Sequence, residues 1–341
     1  MKKNILLTFD YELFLGRRSG SVDNCLIRPT NKILEVLKRH GAKAIFFIDT
    51  TYLFRLQELG KSNLSAEKDF HKIREQLLEM ARDGHYLFHH IHPHWLDAIY
   101  LKDENQWDLS KNERYTWGII SDNDRDELME FSSAFLKKIY SETGKDIHPD
   151  GYRAGGLFIE PFSAFKHYFI KYSIRYNFDV VPGEKIAGNK VYYDFTKCPN
   201  KPFYNFEDDV CLENEKGIFT EFTISRFILT GLYKILNGLY YRLYEKRKRN
   251  ISGGNCVNAL SLGIVHKSYK NFFVTWDTLS VELMNPVMVK YFLNLTRKGV
   301  YMHFLSHPKL ILPHNLEQLN KYLSKIKSKY EIEFDFKKFD P

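Results

Sequence analysis

Short apolar runs that stop at a polar residue alternate along this chain with longer segments of helical periodicity. Asn4 to Phe9 is a mainly apolar run ending at Asp10, the pattern of a strand buried on both faces. Pro29 to Arg39 spaces Ile33, Leu34, Val36 and Leu37 for a helix, with Pro29 in its first turn and Gly41 as its stop. Lys43 to Ile48 is a second buried strand, ending at Asp49. Ala66 to Arg82 predicts a helix followed by Gly84, and His85 to Ile91 a third strand. Asp122 to Glu142 predicts a long helix with Asp122 as N-cap and Gly144 beyond its end. Tyr152-Arg153 closes a short strand, Pro161 to Tyr172 is helical, and Ile174 to Val180 is another strand. Phe272 to Trp276, Val300 to Ser306 and the helices Pro286 to Arg297 and Leu312 to Lys329 complete the series. Strand–helix alternation implies a mainly parallel sheet with crossover helices, and this many units favour a nearly closed barrel.

Residues from about 185 to 270 break the rhythm. Val191 to Phe195 and Ile218 to Ile224 read as hairpin pieces, and Ser225 to Lys248 as one helix. The expectation is an α/β barrel spanning 1–341 as a single domain, with an inserted hairpin and helix at about 185–270.

Composition supports a packed protein. The 341 residues allow one large or two ordinary domains at roughly 150 residues each. A 44% hydrophobic and 16% aromatic content excludes a disordered chain, which lacks the apolar surface to offset its ordering entropy. Lys and Arg number 50 against 42 Asp and Glu, a net charge of +8 that suits an acidic substrate, an anionic membrane or nucleic acid. Cys25, Cys198, Cys211 and Cys256 have no C-x-x-C spacing, which argues against a zinc ribbon and reads as reduced thiols. The N-terminal apolar run stops at Asp10, short of a secretory signal, and no stretch of about 18 apolar residues follows. The chain is therefore expected in the cytoplasm.

The polar residues collect where strands end, the rim that carries active sites in β/α barrels. Asp10, Asp49, His90, His94, Arg153, Asp179, Asp277 and His307 all lie at or just after a proposed strand end. The segment from Gly84 to Trp95 holds five of the 13 histidines, at 85, 89, 90, 92 and 94. Neutral imidazole is the commonest protein ligand for zinc-like metals. His90 and His94 can converge on one ion as the chain leaves the strand, His90 and His92 share a strand face, and His89 points the other way. Asp10 and Glu12, two apart, can divide labour beside a metal, one ligating and one acting as general base. Arg153 can orient a carboxylate bidentately, and Gly155 and Gly156 let backbone approach a ligand. An Asp such as Asp277 beside His307 suits that imidazole to general-acid work.

Thr8-Phe9-Asp10, His90-Ile91-His92-Pro93-His94, Arg153-Ala154-Gly155-Gly156, Trp276-Asp277 and Leu305-Ser306-His307 stand in an order that resembles the NodB-homology polysaccharide deacetylases, carbohydrate esterase family four. It is most similar to a surface-polysaccharide-synthesis subgroup with F-D-Y-E and H-I-H-P-H-W motifs. The resemblance implies a distorted (β/α)7-like barrel and metal-dependent removal of an acetyl group from an N-acetylated sugar of a polysaccharide or its lipid-linked precursor. It implies Asp10 as base, His90 and His94 as ligands of a divalent metal, usually zinc, and Arg153 orienting Asp10. Asp277 would tune His307, the acid that protonates the leaving amine. Tyr11 stands where the family has a second, metal-binding Asp, so Glu12 is expected to take over that ligation. Gly155 replaces the usual Pro of the Arg loop. The competing readings are a hydrolase of another C–N bond, in a cyclic amide or ureide, and a catalytically degenerate sugar-binding member.

Residues 225–250 add a second theme. Ile228, Leu232, Ile235, Leu236, Leu239 and Leu243 make an apolar stripe, and Lys246 to Arg249 end it with four of the surplus charges. Such a segment fits either a helix packed on the barrel or peripheral contact with an anionic membrane. No recognition motif for nucleic acid is present.

Overall fold

The structure, a computed structural model, describes residues 3–111, 113–145, 147–240, 242–243, 253–256, 274–329, 332–334 and 336–339. Among these the chain runs β1 (Lys3–Tyr11), α1 (Arg28–His40), β2 (Ile45–Asp49), α2 (Thr50–Gly60), α3 (Leu64–Arg82) and β3 (Tyr86–Ile91). The hairpin β4–β5 (Ile99–Leu101, Gln106–Asp108), α4 (Asp122–Thr143), β6 (Gly151–Ala154), α5 (Ser163–Tyr172) and β7 (Tyr176–Asn177) follow. Next come the hairpin β8–β9 (Lys185–Ala187, Tyr192–Asp194), β10 (Phe203–Phe206), β11 (Phe219–Phe222), β12 (Arg226–Thr230) and α6 (Gly231–Tyr240). The chain closes with β13 (Val274–Thr278), α7 (Pro286–Arg297), β14 (Met302–Ser306), α8 (Pro313–Lys327) and β15 (Ile332–Glu333).

One sheet has the order β10-β11-β7-β6-β3-β2-β1-β14, with β15 also pairing β1. Its neighbours are parallel except β10 and β11. The stretch after β11 draws the two sides of this sheet together. Ile224 N–H donates to Val180 O beyond β7, while Ser225 N–H donates to His303 O on β14. The fold is thus the expected α/β architecture, a curled and distorted barrel. Between 185 and 270, the β8–β9 hairpin and β12–α6 stand outside the main sheet, whereas β10 and β11 belong to it.

Strand alternation divides the side chains. On β1, Ile5, Leu7, Phe9 and Tyr11 join the core beneath the helices, while Leu6 enters the barrel interior with Phe47, Phe88, Phe178 and Phe222. Phe336, just past β15, plugs that interior with edge contacts to Phe88 and Phe222 at 5.6 and 5.5 Å. The interior is therefore apolar at one end, and the polar residues of the same strand faces collect at the other.

Several expectations are corrected. Ser225–Lys248 is not one helix: Arg226–Thr230 is strand β12, paired antiparallel with β13, and α6 starts at Gly231. Phe227 and Leu229 alternate inward there, a period-two burial that the apolar stripe concealed. The basic run Lys246–Arg249 lies outside the described residues. Ser121, not Asp122, caps α4, through a reciprocal pairing with Asp124. Cys198 and Cys211 are joined by a disulfide, their Cα atoms 4.1 Å apart, and Cys25 and Cys256 form no disulfide. This removes the reduced-thiol argument for a cytoplasmic location.

Candidate functional site

β1 carries Thr8, Asp10 and, just past its end, Glu12 into the polar end of the barrel. β3 carries His90, and the same strand face continues to His92. One carboxylate oxygen and one ring nitrogen each from Glu12, His90 and His92 lie within 4.8 Å of one another, all three residues buried. Glu12 Oε2 is 3.3 Å from His90 Nε2 and 2.6 Å from His92 Nε2, and the two ring nitrogens are 2.9 Å apart. Ligand atoms that share one ion with bonds of about 2 Å sit roughly 3 Å from each other. Two imidazoles and a carboxylate are also a donor set that zinc and similar ions take.

The surroundings fit a cation at this point. His90 Nδ1–H donates to Arg153 O at 2.8 Å, which orients Nε2 toward Glu12. Burial opposes an imidazolium at His90, but the hydrogen bond to Glu12 and the charges of Asp10, Glu12 and Asp49 outweigh it and raise the pKa to about 9. This ring of carboxylates demands positive charge, which either a proton on His90 or a divalent ion meets. On Glu12, burial favours protonation, but Lys309, His92 and His90 hold its carboxyl well below the ordinary range.

The expected ligand His94 is not in this group. Pro93 turns the chain into a short 3-10 helix over Pro93–Asp97 that includes His94, whose ring stands edge-on to His92 at 5.0 Å but outside the group of three. His94 is fully buried, stacks on Tyr115 at 4.8 Å, and neither ring nitrogen has a hydrogen-bond partner among the described residues. His89 points to the other side, onto Ser132 of α4 at 2.7 Å. Gly155 explains the missing proline of the Arg loop. A Cβ there would stand 2.6 Å from His92 Nδ1, so the glycine makes room for the imidazole. Tyr11 faces the helices and donates to Gln76 at 2.7 Å, so Glu12 supplies the acid that Tyr11 does not.

Asp10 lies beside this group. Its Oδ1 accepts from Arg153 Nη1 at 2.5 Å, and its Oδ2 lies 3.7 Å from His307 Nε2. Burial alone would lift the Asp10 pKa, but Arg153, then His90 and His307, outweigh it and hold it below the usual value. Arg153 is fully buried. It also donates to Thr8 Oγ1 at 3.1 Å and Phe178 O at 3.0 Å, and lies over the Phe47 ring at 4.0 Å.

The acid partner of His307 is Glu282, not the expected Asp277. Asp277 pairs in register with Phe227 on the outlying β12–β13 hairpin and is exposed there. The loop that follows lies along β14 instead: Leu305 N–H donates to Leu279 O, and Val281 N–H to Ser306 Oγ, both at 2.9 Å. That places Glu282 Oε1 2.6 Å from His307 N and 3.2 Å from its Nδ1. Burial disfavours the His307 cation, but Glu282, Asp10 and Glu12 together raise its pKa.

Three further groups surround the site; Asp49 and Asp179 were expected at this rim, whereas Lys309 and Glu221 were not. Lys309 buries its ammonium against Glu12 Oε1 at 2.8 Å and Leu13 O at 2.6 Å, leaving Oε2 to face the histidines. Asp49 is structural: it caps α2 through Tyr52 N–H at 3.2 Å and accepts from the Trp95 indole at 2.6 Å. Asp179 and Glu221 form a buried acidic pair, Asp179 accepting from Ala154 N–H and Glu221 from Val180 N–H, each at 2.9 Å. Glu160, Asp209 and Cys211 also approach one another, but Cys211 is committed to the disulfide.

Burial, the first cause, drives Glu221 from an ordinary 4.5 to about 7. A carboxyl raised on folding binds more protons in the native chain, so stability falls as pH rises from 4.5 to about 7. At about 1.4 kcal/mol per unit, the loss approaches ~3 kcal/mol by pH 8. Glu221→Gln is expected to remove most of that loss. Urea unfolding at pH 5 and pH 8 tests this: an unchanged pH difference in the variant would show that Glu221 ionises normally.

No family model matches the chain, and no curated protein matches it in sequence. Solved structures similar to it include a chain assigned as a polysaccharide deacetylase from Mycobacterium smegmatis. It is 12% identical with a TM-score of 0.49, covering 99% of this chain and 90% of that one. The Xyl-CE4 domain of a multidomain xylanase from the hindgut metagenome of Trinervitermes trinervoides is 13% identical with a TM-score of 0.36, covering 100% and 92% of the two chains. Puue allantoinase is 11% identical with a TM-score of 0.46, covering 97% and 86%.

Proposed function

We propose that the chain is a metal-dependent hydrolase that removes an acetyl group from an N-acetylated sugar, in a polysaccharide or its lipid-linked precursor. The observation that carries this reading is the convergence of Glu12, His90 and His92 within 4.8 Å, flanked by a carboxylate and an imidazole that approach each other to 3.7 Å. An anionic base and a carboxylate-supported imidazole beside a metal cradle are the parts that amide hydrolysis needs. A divalent ion held there, zinc by its donor preference, would supply Lewis-acid polarisation of the acetyl carbonyl and activation of water.

The protein's own groups divide the proton transfers. Arg153 fixes one oxygen of Asp10 and keeps it anionic, so Oδ2 is the basic atom that takes the proton of the attacking water. Glu282 holds the His307 Nδ1 side, leaving Nε2 to give a proton to the departing amine. Water adds to the acyl carbon, the C–N bond breaks, and acetate and a free amine leave.

The test is metal content first, then product. The purified chain is expected to retain about one divalent ion, with a chelator lowering its thermal midpoint. His90→Ala with His92→Ala is expected to abolish retention. Acetate release from N-acetylated oligosaccharides should follow metal content. A chain that binds no ion, with a melting point indifferent to chelator, would overturn the reading and leave a sugar-binding role. Hydrolysis of a cyclic ureide without acetate release would redirect it to the other C–N substrates.

A further inference from the structure

Helix α6 is mounted with its apolar side outward. Tyr233 and Asn237, one turn apart, face the body of the protein. The Tyr233 hydroxyl accepts from Asn294 Nδ2 at 2.8 Å, and Asn237 Oδ1 accepts from Asn285 Nδ2 at 2.7 Å. Tyr233 also meets Tyr291 edge-on at 5.0 Å. Leu232, Ile235, Leu236 and Leu239 follow the i, i+3, i+4, i+7 spacing of another face, and they are between 41% and 69% exposed. A surface helix ordinarily does the reverse, burying its leucines and presenting its polar residues to water. Ile228 and Trp276, cross-strand partners on the adjoining β12–β13 hairpin, add 38% and 56% exposed apolar side chains.

Beside this helix is a cavity of about 510 Å³. Tyr233 forms one wall, and Lys290 and Arg297 of α7 with Lys325 of α8 and Lys329 just past its end supply four cations. Among the described residues no acidic side chain lines it. An apolar helix face next to a cation-lined groove matches the two layers of an anionic bilayer surface, acyl chains and headgroups.

We propose that α6 and the α7–α8 groove dock this protein on an anionic lipid surface, with the leucine face in the headgroup–acyl boundary and the groove on lipid phosphates. Two observations favour a membrane over a second copy of the chain. The chain carries a net +8, so two such basic surfaces repel. The leucine stripe runs over about two turns, roughly 10 Å, which is short for the ~800 Å² that each partner gives a standard protein interface. No helix among the described residues is long and apolar enough to cross a membrane, so the contact is peripheral.

The test is vesicle flotation of the full chain, and it reads no hydrolysis. Vesicles are phosphatidylcholine alone or with phosphatidylglycerol. Flotation is expected with the anionic vesicles only, and to fall as salt is raised. One variant carries Leu232→Ser, Leu236→Ser and Leu239→Ser; the other carries Lys290→Ser, Arg297→Ser, Lys325→Ser and Lys329→Ser. Each is expected to weaken partition about tenfold or more, with the wild-type circular dichroism and melting point, because every altered side chain is exposed. Equal flotation on neutral vesicles, or undiminished flotation of either folded variant, would overturn the proposal. So would a wild-type dimer in sedimentation that the leucine variant dissolves without any change in flotation.

Discussion

Asp10→Asn is expected to slow acetate release by roughly 10²–10⁴-fold, the usual contribution of one general acid or base, with metal content unchanged. The amide keeps the shape of the carboxylate and can still accept from Arg153 Nη1, which sits at 2.5 Å, but it takes no proton from water. His307→Gln is expected to lose activity over a similar range for a different reason, and the substrate separates the two. An amine leaves poorly without a proton, whereas a phenolate leaves without help. An activated aryl acetate should therefore hydrolyse nearly normally in His307→Gln and remain slow in Asp10→Asn. Parallel losses on both substrates in both variants would mean that His307 is not the acid. A wild-type rate in metal-loaded Asp10→Asn would move the base to another group.

The parts of this site that follow from strand parity were legible in the sequence. Period-two alternation puts Asp10 with Glu12 and His90 with His92 on shared faces, whatever the partner strands are. A spacing of four does not place His94 with Glu12 and His90, because the turn at Pro93 ends the strand and leaves its ring against His92, 5.0 Å away, outside the three-residue group. Glu282 was not legible because its role depends on a loop lying against β14, a contact settled by the whole barrel. Lys309 lay hidden for the same reason: it meets Glu12 across 296 intervening positions of chain, and a lysine after His-Pro reads as a surface residue. The Ser225–Lys248 misreading is different in kind. Ile228 fits a helical stripe with Leu232, whereas Phe227 and Leu229 fit the inward face of a strand, and the pairing of β12 with β13 decides between them. The helix α2 was missed because its start depends on Asp49 as a cap, and Asp49 reads equally well as a site acid.

Arg153→Met is expected to be the most destabilising single change in the site, at about 3–5 kcal/mol, because it leaves one member of a buried ion pair without the other. The guanidinium is fully buried and donates to Asp10, Thr8 and Phe178 O, so its loss strands a carboxylate and two further acceptors. Asp10 should respond by taking up a proton, since burial drives its pKa upward and Arg153 is the first charge that opposes this. Catalysis would then fail through the same cause as stability. The double variant Arg153→Met with Asp10→Asn isolates the pair. With no charge left to strand, it should be more stable than the sum of the two single losses predicts, by a coupling of roughly 1–3 kcal/mol. Urea unfolding of the four proteins closes the cycle, provided the slopes agree. Strict additivity would show that Arg153 acts by filling space over Phe47, and its role in setting the charge of Asp10 would fall with it. A positive coupling ties the two functions together: the arginine that keeps the base ionised also keeps a charged residue tolerable inside the barrel, so the site cannot lose one without the other.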